Sequence, residues 1–215
     1  MIEKIYQKGQ ETLRHFFLFT LGSIARRFVG RDLPQNANGK VLVHIGCGDL
    51  NDKRFINLDT RPGWHIHVVD EIQNIDKQFP KNYADLIYAC HILEHIPYAQ
   101  VPGVLKKVRS RLKPGGVFRI AVPNFAVIVR MYEVKQNVAD ILAPLMGGQG
   151  YPDNFHRIAY DKKYLTQLLR EAGFSQISEW DPKTAPYHTF ADWAGRTISL
   201  YEKEWPISLN LEATK

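Results

Sequence analysis

A chain of 215 residues, 45% of them hydrophobic, can bury one full core. This excludes a disordered or fibrous protein and leaves room for one domain with decorations. Two cysteines exclude a disulfide framework, and with Cys47 inside a glycine turn the expected compartment is a reducing cytoplasm. The formal charge of +6 suits an acidic partner such as phosphate, nucleic acid or anionic lipid but excludes nothing, because many enzymes are this basic.

Residues 1 to about 30 read as an amphipathic helix, charged early and apolar later, with Phe16, Phe17, Leu18, Phe19, Leu21 and Ile24 in one stretch. The uncharged run from His15 to Ala25 is about half of what a membrane span needs, and no small-x-small cleavage site follows it. Two readings stay open: a helix packed over the core, or an interfacial helix with Arg26, Arg27 and Arg31 facing anionic lipid. Residues 31–39 form a polar linker with turn chemistry, and the catalytic domain is expected over 40–215.

Beyond Lys40 apolar strand-like runs alternate with helical patterns, the signature of an α/β fold with a mostly parallel sheet. Strands are expected at Val41 to Ile45, Phe55 to Leu58, His65 to Val69, Leu86 to Ala89, Val117 to Val122, Gln176 to Trp180 and Ile207 to Ala213. Seven strands fit one sheet. Pro102 to Leu112 has apolar residues at helical spacing, and Asp161 to Ala172 is a second helix with an Asp cap and a stop at Gly173. From Phe125 to Asn154 the residues Pro144, Gly147, Gly148, Gly150 and Pro152 interrupt what begins as a helix, a composition that suits a mobile flap around 125–157.

The chemistry concentrates at the first strand. Val41-Leu42-Val43-His44-Ile45 breaks onto Gly46-Cys47-Gly48, and the next strand ends in Asp59. A buried strand ending in Gly-x-Gly lets backbone approach a ligand, and a carboxylate at the tip of the following strand can bind a ribose diol. A dinucleotide fingerprint would place its third glycine at Asn51, where it is absent.

The ordered set Gly46-Cys47-Gly48, Asp59, Ala84-Asp-Leu-Ile-Tyr-Ala-Cys-His-Ile-Leu-Glu-His95 and Leu112-Lys-Pro-Gly-Gly116 before an apolar strand resembles the class I S-adenosylmethionine-dependent methyltransferases. It is most similar to a small bacterial branch associated with surface polysaccharide synthesis. The resemblance implies a Rossmann-like methyltransferase fold, a seven-stranded mostly parallel sheet flanked by helices with an N-terminal helical extension. It implies S-adenosyl-L-methionine as cofactor, held by Gly46, Cys47, Gly48, Asp59, Asp70, Ala89, Cys90 and His91. In such a site the glycines leave space for the methionine part, Asp59 takes the ribose hydroxyls, Asp70 lies beside the adenine amino group and the methyl points toward Ala89, Cys90 and His91. The implied acceptor is a hydroxyl of a small molecule or glycan precursor, deprotonated by His91 or by His156. Tyr132 and Tyr151 would line the acceptor pocket, with Arg130 and Arg157 on an anionic group.

Two departures from the family pattern stand out. His44 occupies a position where the family usually carries an acid, and only Asp49 to Arg54 separate Gly48 from Phe55, too few for a crossover helix of about a dozen residues. The first helix is therefore expected to be a turn, and the N-terminal helix to cover the exposed sheet, so that deleting residues 1–30 would destabilise the domain.

Competing chemistries are weaker. His91-Ile-Leu-Glu94-His95 matches a zinc metallopeptidase string, with Glu171 a distant ligand, but the histidines straddle a strand end, so no metal is expected. Glu94 then reads as a cap partner and His95 as a helix-start residue. A nucleic-acid methyltransferase would carry an Asp or Asn, two prolines and an aromatic where Ala89-Cys90-His91 stands, so nucleic acid is disfavoured as a partner. A non-catalytic cofactor-binding or scaffold protein remains the principal alternative.

Overall fold

The computed structural model describes residues 33–150 and 154–215; the N-terminal helix and Tyr151 lie outside them. Four apolar runs become adjacent parallel strands: β1 (Leu42–Ile45), β2 (Phe55–Asp59), β4 (Ala84–Cys90) and β5 (Leu112–Pro123). Between β2 and β4 lies the two-residue β3 (Val68–Val69), shorter than the expected strand from His65 because His65 and Ile66 close a turn on Gly63 before pairing begins. β6 (Ser175–Glu179) and β9 (Ser208–Thr214) complete a seven-stranded sheet in the order β3-β2-β1-β4-β5-β9-β6, with β9 antiparallel to both neighbours. This is the expected mostly parallel α/β sheet. The Lys113-Pro-Gly-Gly116 segment is a bulge within β5, where the register jumps from Ala84↔Leu112 to Leu86↔Val117.

Side chains alternate across the sheet, so each strand feeds two cores. Val43, Ile45, Ile56, Leu58, Ile87 and Ala89 enter the larger one, roofed by three helices: α1 (Ile75–Gln78), α2 (Val101–Arg111) and α5 (Lys162–Glu171). Val101, Val104, Leu105 and Val108 repeat at helical spacing and are buried. In α5, Leu165, Leu168 and Leu169 do the same, and Asp161 caps it by accepting from the Tyr164 N–H at 2.7 Å.

The opposite face holds Leu42, His44, Phe55, Leu86 and Tyr88. As the spacing requires, β1 and β2 pair in parallel with only turns between them: Leu50 N–H donates to Cys47 O and Phe55 N–H to Asp52 O. Among the described residues, this face is covered by the irregular segment 180–196. Phe190 stacks on His44 at 5.6 Å between ring centroids, Trp180 and Ala194 are buried beside it, and Asp192 accepts hydrogen bonds from Tyr88 Oη and Ala194 N–H. Arg54 ties the β1–β2 turn to this cover by donating to Thr189 Oγ1 at 2.7 Å and to Tyr187 O at 3.2 Å. The cover expected from the N-terminal helix is thus supplied in good part from the C-terminal side. Phe190 is only partly buried, so Phe190→Ala should cost about 2 kcal/mol; an unchanged midpoint in urea melts would contradict this role.

The region after β5 is more regular than its composition suggests. α3 (Phe125–Lys135) is capped by Asn124 and ended by Gln136 in the left-handed conformation. A 3₁₀ turn (Val138–Ile141) and α4 (Leu142–Met146) follow. A hairpin of β7 (Thr197–Leu200) and β8 (Lys203–Pro206), unseen in the sequence, puts Trp205 against Val127, Ile128 and Met131 of α3. No helix among the described residues is long and apolar enough to cross a membrane.

Candidate active site

The carboxyl ends of β1, β2 and β4 converge on one edge, where open α/β sheets place their ligands. After Ile45 the chain turns through Gly46 and Gly48, at φ +65 and +56, left-handed conformations that glycine adopts without steric cost. Asp59, 5% exposed at the tip of β2, is held in one orientation. Its Oδ2 accepts from Gly48 N–H and its Oδ1 from Arg61 N–H, both at 2.9 Å, with Arg61 Nε at 3.4 Å. A carboxylate has about four acceptor positions, so the two backbone bonds orient it and leave capacity for ligand hydroxyls. A Cβ on Gly48 would first meet the tip of Arg61, at 3.4 Å, a flexible side chain. This donor and acceptor set fits a ribose and its attached chain.

Gly46 needs correction. A Cβ there would lie 1.9 Å from Ile92 Cδ1, so the immediate reason for glycine is the packing of Ile92 over the turn rather than space kept for the cofactor. Gly46→Ala should cost about 3 kcal/mol, from overpacking together with an unfavourable left-handed backbone. Ile92→Ala should recover the overpacking share in a double-mutant cycle. Additive melting shifts would refute the contact.

Cys47 is buried, and burial pushes its thiol well above the ordinary range, so it is inert at this turn. His44 cannot replace the family's acid. It points to the opposite face among Phe55, Tyr88 and Phe190, and burial lowers it to about 4. Asp70 follows β3, its Oδ1 accepting from Glu71 N–H and Asn74 Nδ2 and its Oδ2 from Gln78 Nε2. These bonds brace the following turn.

At the end of β4, Ala89 is buried, Cys90 is partly buried with its thiol raised by desolvation, and His91 adopts φ +53, a strained state for a non-glycine residue. Both His91 nitrogens face protein groups. Nε2 lies 2.7 Å from Ser208 Oγ, whose hydroxyl donates to Trp193 O, and Nδ1 lies 3.4 Å from Glu94 Oε1. Because Ser208 spends its proton on Trp193, His91 carries its own on Nε2 and is basic at Nδ1. Burial, with His156 next, lowers its pKa to about 3.

Glu94 is not the cap partner expected. It lies in the 3₁₀ turn Leu93–His95, is 1% exposed, makes no capping bond, and neither carboxyl oxygen has a hydrogen-bond partner. Burial raises it to about 8, so it holds a proton at neutral pH. His95 ends the turn rather than starting a helix. His156 comes up beside it, the two rings 5.2 Å apart, and desolvation holds the half-buried His156 below its ordinary value. Sequence reasoning named each of these groups but missed that the chain after α4 closes onto them. Arg157 N–H donates to Glu94 O and Phe155 O meets His95 Nδ1, while His156 N–H ties the segment back to Met146 O at the end of α4. Glu171, the distant zinc ligand considered, pairs with Gln167 on α5. Tyr132 is exposed on α3, and Arg130 there donates to Ala126 O.

The comparisons with known proteins agree with this class of fold. A Methyltransferase domain family model (Methyltransf_23) matches residues 13–179. The chain is similar in fold to a SAM-dependent methyltransferase from Archaeoglobus fulgidus (17% identity, TM-score 0.54, 98% of this chain and 99% of that one). It is also similar to one from Thermotoga maritima (14% identity, TM-score 0.53, 98% and 96%). No curated protein sequence matches it. The fold and its glycine–carboxylate edge define a Rossmann-like nucleotide-binding protein. The chain belongs to the methyltransferase-domain family and is an enzyme that takes its methyl group from S-adenosylmethionine.

Proposed function

We propose that the protein methylates a hydroxyl of a small molecule or surface-glycan precursor. The observation that carries the cofactor half of this reading is the Asp59 carboxylate, fixed by Gly48 and Arg61 N–H groups at the edge where β1, β2 and β4 end; the hydroxyl acceptor is supported by the histidines at the end of β4 and after α4. On this reading Asp59 accepts the ribose hydroxyls, the backbone of Gly46, Cys47 and Gly48 lies along the methionine part, and Asp70 receives the adenine amino group. S-adenosylmethionine supplies a methyl carbon already activated by its sulfonium. The protein's share is alignment and proton removal. Ala89, Cys90 and His91 border the methyl, and His91, neutral at physiological pH, takes the acceptor proton at Nδ1. His156 faces the same space from the opposite segment.

The glycan acceptor is supported by the resemblance to the polysaccharide-associated branch. A lipid-linked acceptor would also give the basic and apolar segment before residue 33 a surface to touch. The experiment is incubation of the purified protein with methyl-labelled S-adenosylmethionine and candidate hydroxyl acceptors, reading label transfer and S-adenosylhomocysteine release. Transfer to a sugar hydroxyl is the expected result, and His91→Ala should slow it while leaving cofactor binding within a few-fold. Cofactor binding with no transfer to any hydroxyl acceptor would overturn the hydroxyl reading of the acceptor.

A further inference from the structure

The side chains of Glu94, His95 and His156 each offer one ligand atom, and these atoms all lie within 4.8 Å of one another. Glu94 is the telling member. A carboxyl group 1% exposed with no hydrogen-bond partner on either oxygen is costly to bury, and folded proteins tolerate such a group only where something else satisfies it. The surroundings are built rather than accidental. His95 Nδ1 lies 3.1 Å from Phe155 O, and that contact fixes Nδ1 as the protonated nitrogen and Nε2 as the basic one, 4.0 Å from Glu94 Oε1. A carbonyl holding the outer nitrogen of a metal-binding histidine is a recurrent support for the inner one. The Arg157 N–H to Glu94 O bond at 2.7 Å and the His156 N–H to Met146 O bond at 3.0 Å anchor the third group beside the other two.

We infer that Glu94, His95 and His156 form a binding site for one divalent transition-metal cation at the carboxyl end of β4. Two imidazoles and one carboxylate suit zinc and the other first-row ions better than magnesium or calcium, which take oxygen ligands. At bond lengths of about 2.0–2.1 Å a tetrahedral ion draws its donors to roughly 3.3 Å apart. Binding therefore requires the donors to close in from their present separations of up to 4.8 Å, a movement asked of His95 and His156, both only partly buried. Three protein ligands leave one position open for an oxygen of an incoming molecule, the arrangement of catalytic rather than structural sites. These are not the ligands of the His91-x-x-Glu94-His95 metallopeptidase string. His91 Nε2 is engaged with Ser208 and its Nδ1 lies 3.4 Å from Glu94 Oε1, which places it beside the carboxyl but outside the set whose ligand atoms lie mutually within 4.8 Å, and His156 is the third member of that set.

The site's existence is independent of the proposed function; only its use, polarising an acceptor oxygen beside the methyl, rests on that reading. The test is titration of the chelator-treated full chain with Co²⁺, followed by visible absorption, and with Zn²⁺, followed by calorimetry, with S-adenosylmethionine titrated separately. One saturable equivalent of each metal is expected, with Co²⁺ developing a visible band of low coordination number. Glu94→Gln, which keeps the buried shape, and the double change His95→Ala with His156→Ala should each weaken binding by about 100-fold or more while circular dichroism stays unchanged. Absence of saturable binding, or equal affinity in both variants, overturns the site. Metal binding without cofactor binding would retain the site and refute the proposed function; cofactor binding without metal would do the reverse.

Discussion

Asp59→Ala is expected to weaken S-adenosylmethionine binding by about 100-fold, far more than His91→Ala. Two ribose hydroxyls donating to a buried aspartate side chain make bonds worth about 1.5–3 kcal/mol each. The carboxylate is already oriented by Gly48 and Arg61, so little ordering entropy offsets them. The same substitution removes the acceptor for Gly48 N–H and lowers stability by about 1–3 kcal/mol. Binding must therefore be measured well below the melting temperature. Asp59→Asn keeps the shape but replaces one acceptor oxygen with a donor facing an N–H, so it should also weaken both binding and the turn. Calorimetry of the three variants beside the parent reads this directly, and equal affinity in Asp59→Ala and the parent would remove Asp59 from the cofactor site.

The second large effect concerns acid stability. His44 is 1% exposed, its Nδ1 has no partner, and it sits among Phe55, Tyr88 and Phe190 with pKa lowered from 6.5 to about 4. Burial is the dominant cause and His188 adds to it, while Asp192, Asp59 and Asp52 oppose it. Because the folded-state value is depressed, the unfolded chain takes up a proton below pH 6.5 that the folded chain refuses until about pH 4. Protonation of His44 therefore has no effect on stability at neutral pH and removes stability progressively as pH falls through that window, by about 3 kcal/mol in all. His44→Leu should flatten the acid limb of a urea-midpoint profile between pH 6.5 and 4. Parallel profiles for parent and variant would contradict the buried neutral imidazole.

Much of the fold was legible because its evidence was local. β1, β2, β4 and β5 are buried on both faces and appear as continuous apolar runs, and the short span from Asp49 to Arg54 correctly denied the first crossover its helix. What replaces that helix was not legible. Residues 180–196 have no regular period, and their assignment to the sheet depends on contacts such as Phe190 on His44 and Arg54 to Thr189, made between residues distant in sequence. The candidate site divides the same way. Gly46, Gly48 and Asp59 could be named from one strand-turn-strand pattern. The packing of Ile92 over Gly46 could not, because it joins two separate strand ends, and the dehydration of Glu94 could not, because it depends on a later segment closing on the end of β4. The His91-x-x-Glu94-His95 string carried a metal signal. The completing ligand, His156, is far away in sequence and follows a stretch with no periodic signature.

The central claim is that this chain holds S-adenosylmethionine between the Gly46–Gly48 turn and Asp59. Isothermal titration of S-adenosylmethionine into the full-length protein tests it most directly. One saturable equivalent, lost in Asp59→Ala and retained in His91→Ala, is the predicted result; no binding by the folded parent protein would contradict it.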